Sequence, residues 1–352
     1  AMLMIPADGN FVTAIQKGSS KENQVQGQSR QHARLINLLG VKQLIVGINK
    51  MDAETAKYSE ERYDEIRREV ADMLVRVGWP KGQIAKGVPF VPISGWKGDN
   101  LLTKSENMPW WKGNDVMVKG KGSVHVDTLL DAFENMVTIP ARPVDKNLRV
   151  PISGIYKIKG VGDVLTGRVE QGKVQPGNEV IFMPTHTTAN PCSGKVFSVE
   201  MHHKSVPEAG PGDNVGMNIK NLPKANMPHN GDVMILKSDE TLRPAKKIVT
   251  QVQVLDHPGE LKCGYTPVGF VRTGRAPIRM TKINWKIGKE TGGVKAEDPP
   301  HLKAGDMAEV IFEPQLPFVA DAFENCEGLS RLAVMEGNGV VMLGRVSSAS
   351  VE

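Results

Sequence analysis

Four residues that can bind a ligand, Asn49-Lys50-Met51-Asp52, directly follow the predicted strand Lys42–Ile48. Ligands of open α/β sheets bind at the carboxyl ends of the strands. An Asp carboxylate there accepts two hydrogen bonds from the ring N1–H and the exocyclic amine of guanine, a pair that adenine does not offer. The Asn amide bonds the purine N7 or ties adjacent loops together, and the Lys stem lies along the base plane. A solvated turn is the alternative, because Asn and Asp are common turn residues.

A second polar loop, Ser94-Gly95-Trp96, follows the next predicted strand, Pro89–Ile93. Because neither side chain intrudes, the backbone amides of Ser94 and Gly95 are expected to approach the base O6. Two consecutive strands that end in base-binding loops predict guanine recognition. The expected guanine-binding residues are Asn49, Lys50, Asp52, Ser94, Gly95 and Trp96.

The composition describes a soluble globular protein of two or three domains, since 40% of the 352 residues are hydrophobic and 24% are charged. No apolar run approaches the ~20 residues of a membrane span, so no membrane association is expected. The three cysteines lie far apart and lack the spacing of metal ligands, which favours reduced thiols, a cytoplasmic location and no metal site. The segment from Lys262 to Lys289 contains seven Lys or Arg residues and no acid. This run predicts polyanion contact, although a solvated strand face is the other interpretation.

Strand and helix patterns alternate over residues 1–140, which predicts an α/β fold with a parallel sheet. A Pro-containing linker follows, and short β-rich runs then predict two all-β domains at 145–238 and 242–352, each a small antiparallel barrel or sandwich, with barrels as our expectation. Ser59 is the predicted N-cap of a helix that ends at Gly78. The buried face of this helix is predicted to comprise Tyr63, Ile66, Val70, Met73, Leu74 and Val77. A further amphipathic helix is predicted from the spacing of Val126, Leu129, Leu130 and Phe133.

The chain begins with AMLMIPADGNF, within an apolar strand pattern. A domain does not normally open in its own core. We therefore expect a fragment that lacks the N-terminal part of its first domain.

These motifs carry a family resemblance. N-K-M-D and S-G-W at this spacing, followed by GVGDVLTGRVEQG and VEMHHK, resemble the family of translation elongation factor 1-alpha and bacterial elongation factor Tu. The segments GDNLL, MPWWKG and EGLSRLAVMEGNGVVMLG look closer to the eukaryotic elongation-factor-like branch of that family. The resemblance covers essentially the whole chain.

The resemblance implies a GTP hydrolase that binds GTP or GDP with Mg²⁺ and delivers aminoacyl-tRNA to the ribosomal A site. The phosphate chemistry of the family needs a G-x-x-x-x-G-K-[ST] loop and a D-x-x-G switch. Neither motif is present in residues 1–140, which resemble only the second half of the GTPase domain. We therefore expect base recognition by this stretch, an activity of the full protein only, and Mg²⁺ ligands in the missing N-terminal part.

The resemblance also implies an aminoacyl-tRNA site. In the first β domain Glu200 matches a residue that packs against the terminal adenine, and Tyr156, Thr166 and Asn214 match the aminoacyl pocket or its rim. The adjacent His202 and His203 are expected to contact ribose or phosphate. As strand neighbours they would point to opposite faces and make a poor metal pair.

In the second β domain the resemblance implies contact with the tRNA T stem through Arg272, Thr273 and Gly344. Two acidic pocket residues of the bacterial factor correspond to Ser153 and Gly154, so amino-acid accommodation does not carry over. The expected partners are aminoacyl-tRNA, the ribosome and a guanine-nucleotide exchange factor. The alternatives are a release- or rescue-type translational GTPase that docks a protein, a sulfate-activating GTPase subunit, or an RNA-binding barrel without enzymatic activity.

Overall fold

The computed structural model describes residues 1–17, 27–38, 40–255, 257–337 and 339–351. It divides into two compact units, Ala1–Pro140 and Ala141–Glu352. In these described ranges every helix is too short or too polar to cross a membrane.

The first unit is built on a three-stranded parallel sheet. The strands of the whole unit are β1 (Met2–Pro6), β2 (Ile45–Asn49), β3 (Phe90–Pro92), β4 (Asn114–Val118) and β5 (Gly122–Val126). Its helices are α1 (Phe11–Ile15), α2 (Gln28–Leu38), α3 (Glu60–Arg76), α4 (Lys81–Gly87) and α5 (Leu129–Asp131), which continues as a π-helix over Ala132–Met136. Strands β1, β2 and β3 pair in that order and in parallel, and β4 and β5 form a separate hairpin. The predicted α/β fold is confirmed, and the carboxyl ends of β2 and β3 lie side by side.

Helix α3 follows its sequence pattern closely. The Ser59 hydroxyl caps the helix by accepting a hydrogen bond from the Arg62 amide, and Gly78 adopts a φ of +108° just after the last turn. Five of the six predicted apolar residues are buried, and Val77 at the C-cap is partly buried. A period of 3.6 places one stripe of the helix against the core.

The buried face predicted for the helix that follows β5 is wrong. Val126 is the last residue of β5, and the helix begins only after Thr128, whose hydroxyl forms a capping box with Asp131. Leu130 and Phe133 are then 37% and 49% exposed, whereas the buried residues of the π-helix are Ala132 and Met136. The cap changes the helical phase, and the wider π-turn changes it again, so a period counted from Val126 selects the wrong side.

The second unit consists of antiparallel strands. The first barrel uses β6 (Val150–Ile158), β7 (Gly162–Arg168), β8 (Glu179–Met183), β9 (Ser193–Met201), β10 (Lys204–Val206), β11 (Asn214–Lys220) and β12 (Val233–Leu236). The second uses β13 (Lys247–Val254), β14 (Val268–Val271), β15 (Gly274–Ile287), β16 (Ala296–Glu297), β17 (Met307–Pro314), β18 (Arg331–Glu336) and β19 (Gly339–Ser350), with a 3₁₀ turn at Glu327–Leu329.

Both sheets close on themselves. The order β9-β11-β7-β6-β12-β8 returns to β9, and β10 extends the sheet beside β9. The order β14-β18-β19-β13-β17-β15 likewise returns to β14, and β16 lies outside beside β15. Two six-stranded barrels result, as predicted, and closure removes their unpaired strand edges.

The two barrels share part of their core. Side chains from β8 and β12 of the first barrel pack in the same buried cluster as the interior of the second: Ile181, Met183, Val233 and Ile235 with Leu242, Ile248 and Phe318. A continuous apolar contact of this kind holds the two barrels together as one body.

Candidate functional site

The two predicted base-binding loops are tied together by Asn49 at the end of β2. Its Oδ1 accepts hydrogen bonds from the Lys50 amide and from the Gly95 amide, both at 2.8 Å. A Cβ on Gly95 would lie 3.4 Å from this oxygen, so the loop approaches closely. Of the two roles expected for Asn49, the structure shows the loop-tying one. Its Nδ2 has no acceptor within the described part of the chain.

Lys50 is held by a residue that the sequence did not single out. Its φ is +65°, and its Nζ lies 2.7 Å from Oδ2 of Asp8, which follows β1. This hydrogen bond lowers the pKa of Asp8. The Lys stem is thereby fixed across the end of the sheet. Asp8 belongs to the turn after the first strand, and its position at the carboxyl edge of the sheet was the one available signal.

Asp52 is half-buried, and its carboxylate has no hydrogen bond or ion pair with any described residue. Met51 beside it is fully buried and anchors the loop in the core. The free carboxylate therefore keeps its acceptors for a ligand.

The Ser94 loop differs from expectation in its donors. The Ser94 amide already donates to the Asp99 carbonyl at 3.2 Å, and the Gly95 amide donates to Asn49. Both amides expected to approach O6 are thus engaged. The Trp96 amide has no acceptor among the described residues, and its indole is 89% exposed beside the loop. The sequence spacing identified the loop, and the hydrogen bonds show that the amide of Trp96, rather than those of Ser94 and Gly95, is left without an acceptor in the described chain.

A polar network beneath this loop was not predicted. Asp99 accepts hydrogen bonds from the Tyr58 hydroxyl at 3.0 Å, from Ser105 Oγ at 2.5 Å and from Asn107 Nδ2 at 2.9 Å. Burial opposes ionisation of Asp99, but these hydrogen bonds outweigh it and leave its pKa below the usual value. Burial and the same carboxylate raise the pKa of Tyr58 to about 12. The network fixes the loop that carries Trp96.

On the outer face of the first barrel, three strands bring predicted residues into one row. Thr166 on β7 lies opposite Gly216 on β11, which in turn lies opposite Glu200 on β9. The ring of Tyr156 lies over Gly154, because a Cβ there would meet the ring at 2.6 Å and Thr166 Oγ1 at 2.7 Å. Thr166, Glu200 and Tyr156 therefore share a surface with two glycines between them.

Asn214 lies two residues before Gly216 on β11, on the same face, and is exposed opposite Arg168. Asn214 therefore lies at the edge of the row formed by Thr166, Gly216 and Glu200.

The two histidines do not lie on a strand, so the expectation of opposite faces is wrong. His202 and His203 form the two-residue turn between β9 and β10, with φ of +51° and +60°. His is among the residues that tolerate this conformation, and a two-residue hairpin turn of type I′ requires positive φ at both positions. Both side chains are exposed next to Glu200.

Arg272 in the second barrel is not free. Its Nη2 lies 2.7 Å from Oε2 of Glu170 in the first barrel, and its Nε donates to the Gly328 carbonyl at 3.0 Å. A Cβ on Gly328 would lie 2.4 Å from the Glu170 carboxylate, so only glycine permits this approach. Thr273 follows in the same turn, where its carbonyl lies against Gly231.

Gly344, which is expected to contact the T stem, also has a packing role in the second barrel, and its T-stem contact stays a prediction. Gly344 lies opposite Val252 and Leu332, which are both buried in the barrel core. A Cβ on Gly344 would lie 2.6 Å from the methyl group of Thr250 and 2.8 Å from the Gln251 carbonyl. Internal packing explains this glycine, because its missing side chain points into the barrel.

The comparisons with known proteins agree with this architecture. Three family models match the chain: the elongation factor Tu GTP binding domain at residues 7–138, elongation factor Tu domain 2 at 162–235, and the GTP-eEF1A C-terminal domain-like family at 247–347. Elongation factor 1-alpha of Plasmodium falciparum is 40% identical over 348 residues, which cover 99% of this chain and 71% of the relative.

Two solved structures share the fold at 23% identity and a TM-score of 0.53. Sup35 complexed with GMPPNP covers 99% of this chain and 78% of its own, and Sup35 complexed with GDP gives 98% and 77%. The parallel sheet with its two polar loops, the two closed barrels and the 40% identity lead to one assignment: the chain belongs to the elongation factor Tu and elongation factor 1-alpha family of GTP-hydrolysing translation elongation factors.

Proposed function

We propose that this protein delivers aminoacyl-tRNA to the ribosomal A site in a GTP-dependent cycle, and that a separate exchange factor reloads it in the cytosol. The single observation that carries the proposal is the row of Thr166, Gly216 and Glu200 with Tyr156 beside it. A GTPase that docks a protein has no need of a surface suited to an unstacked base and an ester.

Base recognition rests on the two loops after β2 and β3. The free carboxylate of Asp52 accepts from N1–H and the exocyclic amine of guanine, and the Lys50 stem lies along the base. Asn49 Nδ2 donates to N7 while its Oδ1 holds the Gly95 loop. The unengaged Trp96 amide donates to O6 in place of the two amides that are already bonded, and its exposed indole covers the base.

Phosphate binding needs groups other than those that recognise the base. The 352 residues contain no G-x-x-x-x-G-K-[ST] sequence, and no three His, Cys, Asp or Glu side chains of the described chain cluster as for a metal. The described residues therefore offer neither the phosphate loop nor a cluster of three such metal-binding side chains. We propose that they hold the base and do not themselves perform hydrolysis.

The acceptor end of the tRNA is the cargo of the first barrel. Gly216 leaves open surface between the side chains, since a Cβ there would meet only Val164 at 3.8 Å, and Gly154 gives room for the Tyr156 ring. Glu200 packs beside the terminal adenine, while Tyr156 and Thr166 line the ester. Unstacked nucleotides are held in this way by flat aromatic groups and neutral hydrogen-bonding groups. His202 and His203 project from their turn towards the neighbouring ribose or phosphate, and Asn214 forms the rim.

The second barrel contributes contacts to the phosphate backbone of the tRNA through the turn at Arg272 and Thr273. Glu170 and Gly328 occupy Nη2 and Nε of Arg272, so its Nη1 donors remain for a phosphate. Contacts of this type position the RNA and carry no sequence preference, as a carrier of many tRNAs requires.

The deciding experiment measures protection of the aminoacyl ester from spontaneous hydrolysis by the intact protein. We expect strong protection with GTP and much weaker protection with GDP. Glu200→Ala should reduce protection, while Glu208→Ala, on the same barrel and also exposed, serves as the matched control. Equal hydrolysis with and without GTP-loaded protein would refute tRNA carriage and favour a protein-docking GTPase.

A further inference from the structure

Phe323 in the second barrel is in contact with two guanidinium groups. The Cζ atoms of Arg331 and Arg345 lie 5.1 and 4.9 Å from its ring centroid. Phe323 is itself fixed, because its amide donates to the Val346 carbonyl at 3.1 Å. These three residues are called the Phe323 platform below. Cation–π contacts at this distance orient a guanidinium and leave its N–H donors available.

The two arginines are direct cross-strand neighbours. Arg331 on β18 is the register partner of Arg345 on β19, and the other neighbour of Arg345 is Gln251 on β13. Like charges directly opposite one another destabilise an antiparallel pair. No acid on either adjacent strand faces Arg345. An arrangement that costs stability and leaves Arg345 without an ion pair in the described chain indicates a role outside the barrel fold.

The charge is only partly neutralised. Glu327 lies 3.1 Å from Arg331, and it is the one carboxylate of the described residues within ion-pair distance of either guanidinium. Arg331 Nε is buried without an acceptor, and exposed Arg345 has no hydrogen bond or ion pair among those residues. Two further cations bind the same segment, since Lys146 donates to the carbonyls of Glu324 and Asn325, and Arg272 donates to Gly328.

Arg345 thus differs from Arg272 in how much of its positive charge is available to an anion. The guanidinium of Arg272 is neutralised by Glu170, whereas that of Arg345 is exposed, oriented by a ring and placed opposite a second arginine. Of the two arginines, Arg345 is the better phosphate ligand.

We propose that the Phe323 platform is a phosphate-binding site for the backbone of an RNA stem, with Arg345 as its main contact and Arg331 as its support. The site rests on the proposed tRNA carriage and adds to it a contact that the sequence comparison did not indicate. Backbone phosphates are the partner because two adjacent planar, multidentate cations, only one of which is paired with an acid, match consecutive anionic oxygens.

The test is the salt dependence of tRNA binding by the intact protein. Arg345→Met keeps an apolar stem on the ring and removes the charge. We expect its affinity at about 100 mM salt to fall roughly 3- to 10-fold, and the slope of log K against log salt to flatten by about 0.7–0.9, the value for one lost phosphate contact. Arg345→Lys should restore the slope. Phe323→Leu should weaken binding, because Arg345 is then no longer held.

Lys247→Met is the matched control, since Lys247 is an exposed cation on β13 of the same barrel and lies outside the basic run Lys262–Lys289. It should leave the slope unchanged. If Arg345→Met and Lys247→Met have the same effect, the platform only contributes net charge and the inference is wrong.

Ester protection is measured in parallel with the same preparations. Protection by the wild type together with an unchanged slope for Arg345→Met overturns the inference alone. Absence of protection by the wild type overturns the proposed function, and the inference with it.

Discussion

The Oδ1 atom of Asn49 lies 2.8 Å from the Gly95 amide, so one side chain joins the loops that follow two neighbouring parallel strands. The second hydrogen bond of this oxygen goes to the Lys50 amide. Asn49 therefore shapes both loops before any base arrives, and preorganisation of this kind lowers the cost of binding.

Asn49→Ala should weaken guanine-nucleotide binding by the intact protein roughly 10- to 100-fold, because two backbone donors lose their acceptor. Fluorescent GDP titration measures the change. Asn135→Ala is the control, since its side chain is exposed on the π-helix of the same unit. Equal affinities of the two variants would show that the loops do not need this tie.

Asp52→Asn should change the base preference of the protein from guanine towards xanthine. An amide NH₂ repels the N1–H and amine donors of guanine but donates to the 2-oxo group of xanthine, so GDP affinity should fall by about 100-fold or more. Xanthosine diphosphate should bind the variant better than the wild type. Competition between the two nucleotides measures this, and unchanged GDP preference would place the base elsewhere.

Breaking the Glu170–Arg272 pair should destabilise the contact between the barrels. Arg272→Met leaves Glu170, whose side chain is 9% exposed, without its cation. We expect a loss of about 1–3 kcal/mol in the free energy of unfolding. Urea denaturation of Arg272→Met, Glu170→Gln and the double variant gives the coupling energy, and additive effects would mean that the two residues act independently.

Acid should weaken the second barrel through Glu290. Hydrogen bonds from Lys303, then from Lys286 and His301, lower the pKa of Glu290 to about 2 from 4.5. Its contribution is therefore fully present above pH ~4.5 and is lost as the pH falls towards 2. The difference in melting temperature between wild type and Glu290→Gln should shrink over this range. Glu297→Gln is the exposed control, and a constant difference would contradict the assignment.

His125 should have the opposite pH dependence, and its contribution to stability should be lost as the pH rises. Its hydrogen bond with Asp115, followed by the charge of Asp127, raises its pKa above 6.5. The stabilisation is present below pH 6.5 and is lost as the pH rises through the folded pKa. The melting-temperature advantage of the wild type over His125→Gln should therefore be larger at pH 6 than at pH 8. NMR titration of His125 measures the pKa directly, and a value below 6.5 would refute the pair.

Local pattern was sufficient for the elements that carry the loops. Apolar runs ending in turn residues identified β2 and β3, and a period of 3.6 with Ser59 and Gly78 identified α3, because these signals act between residues close in the chain. The same reasoning failed at Phe133, where the cap at Thr128 and a π-turn set the helical phase.

The sequence by itself determined the order of strands and helices, the two loops and the place of Asp52 directly after β2. Only the tertiary structure decided which polar groups remain free. Glu170 neutralises Arg272 from 102 residues away, Asn49 occupies the Gly95 amide from 46 residues away, and Gly344 faces the barrel core. Hydrogen bonds and ion pairs depend on distances of a few ångströms between remote segments, and chain folding alone sets those distances.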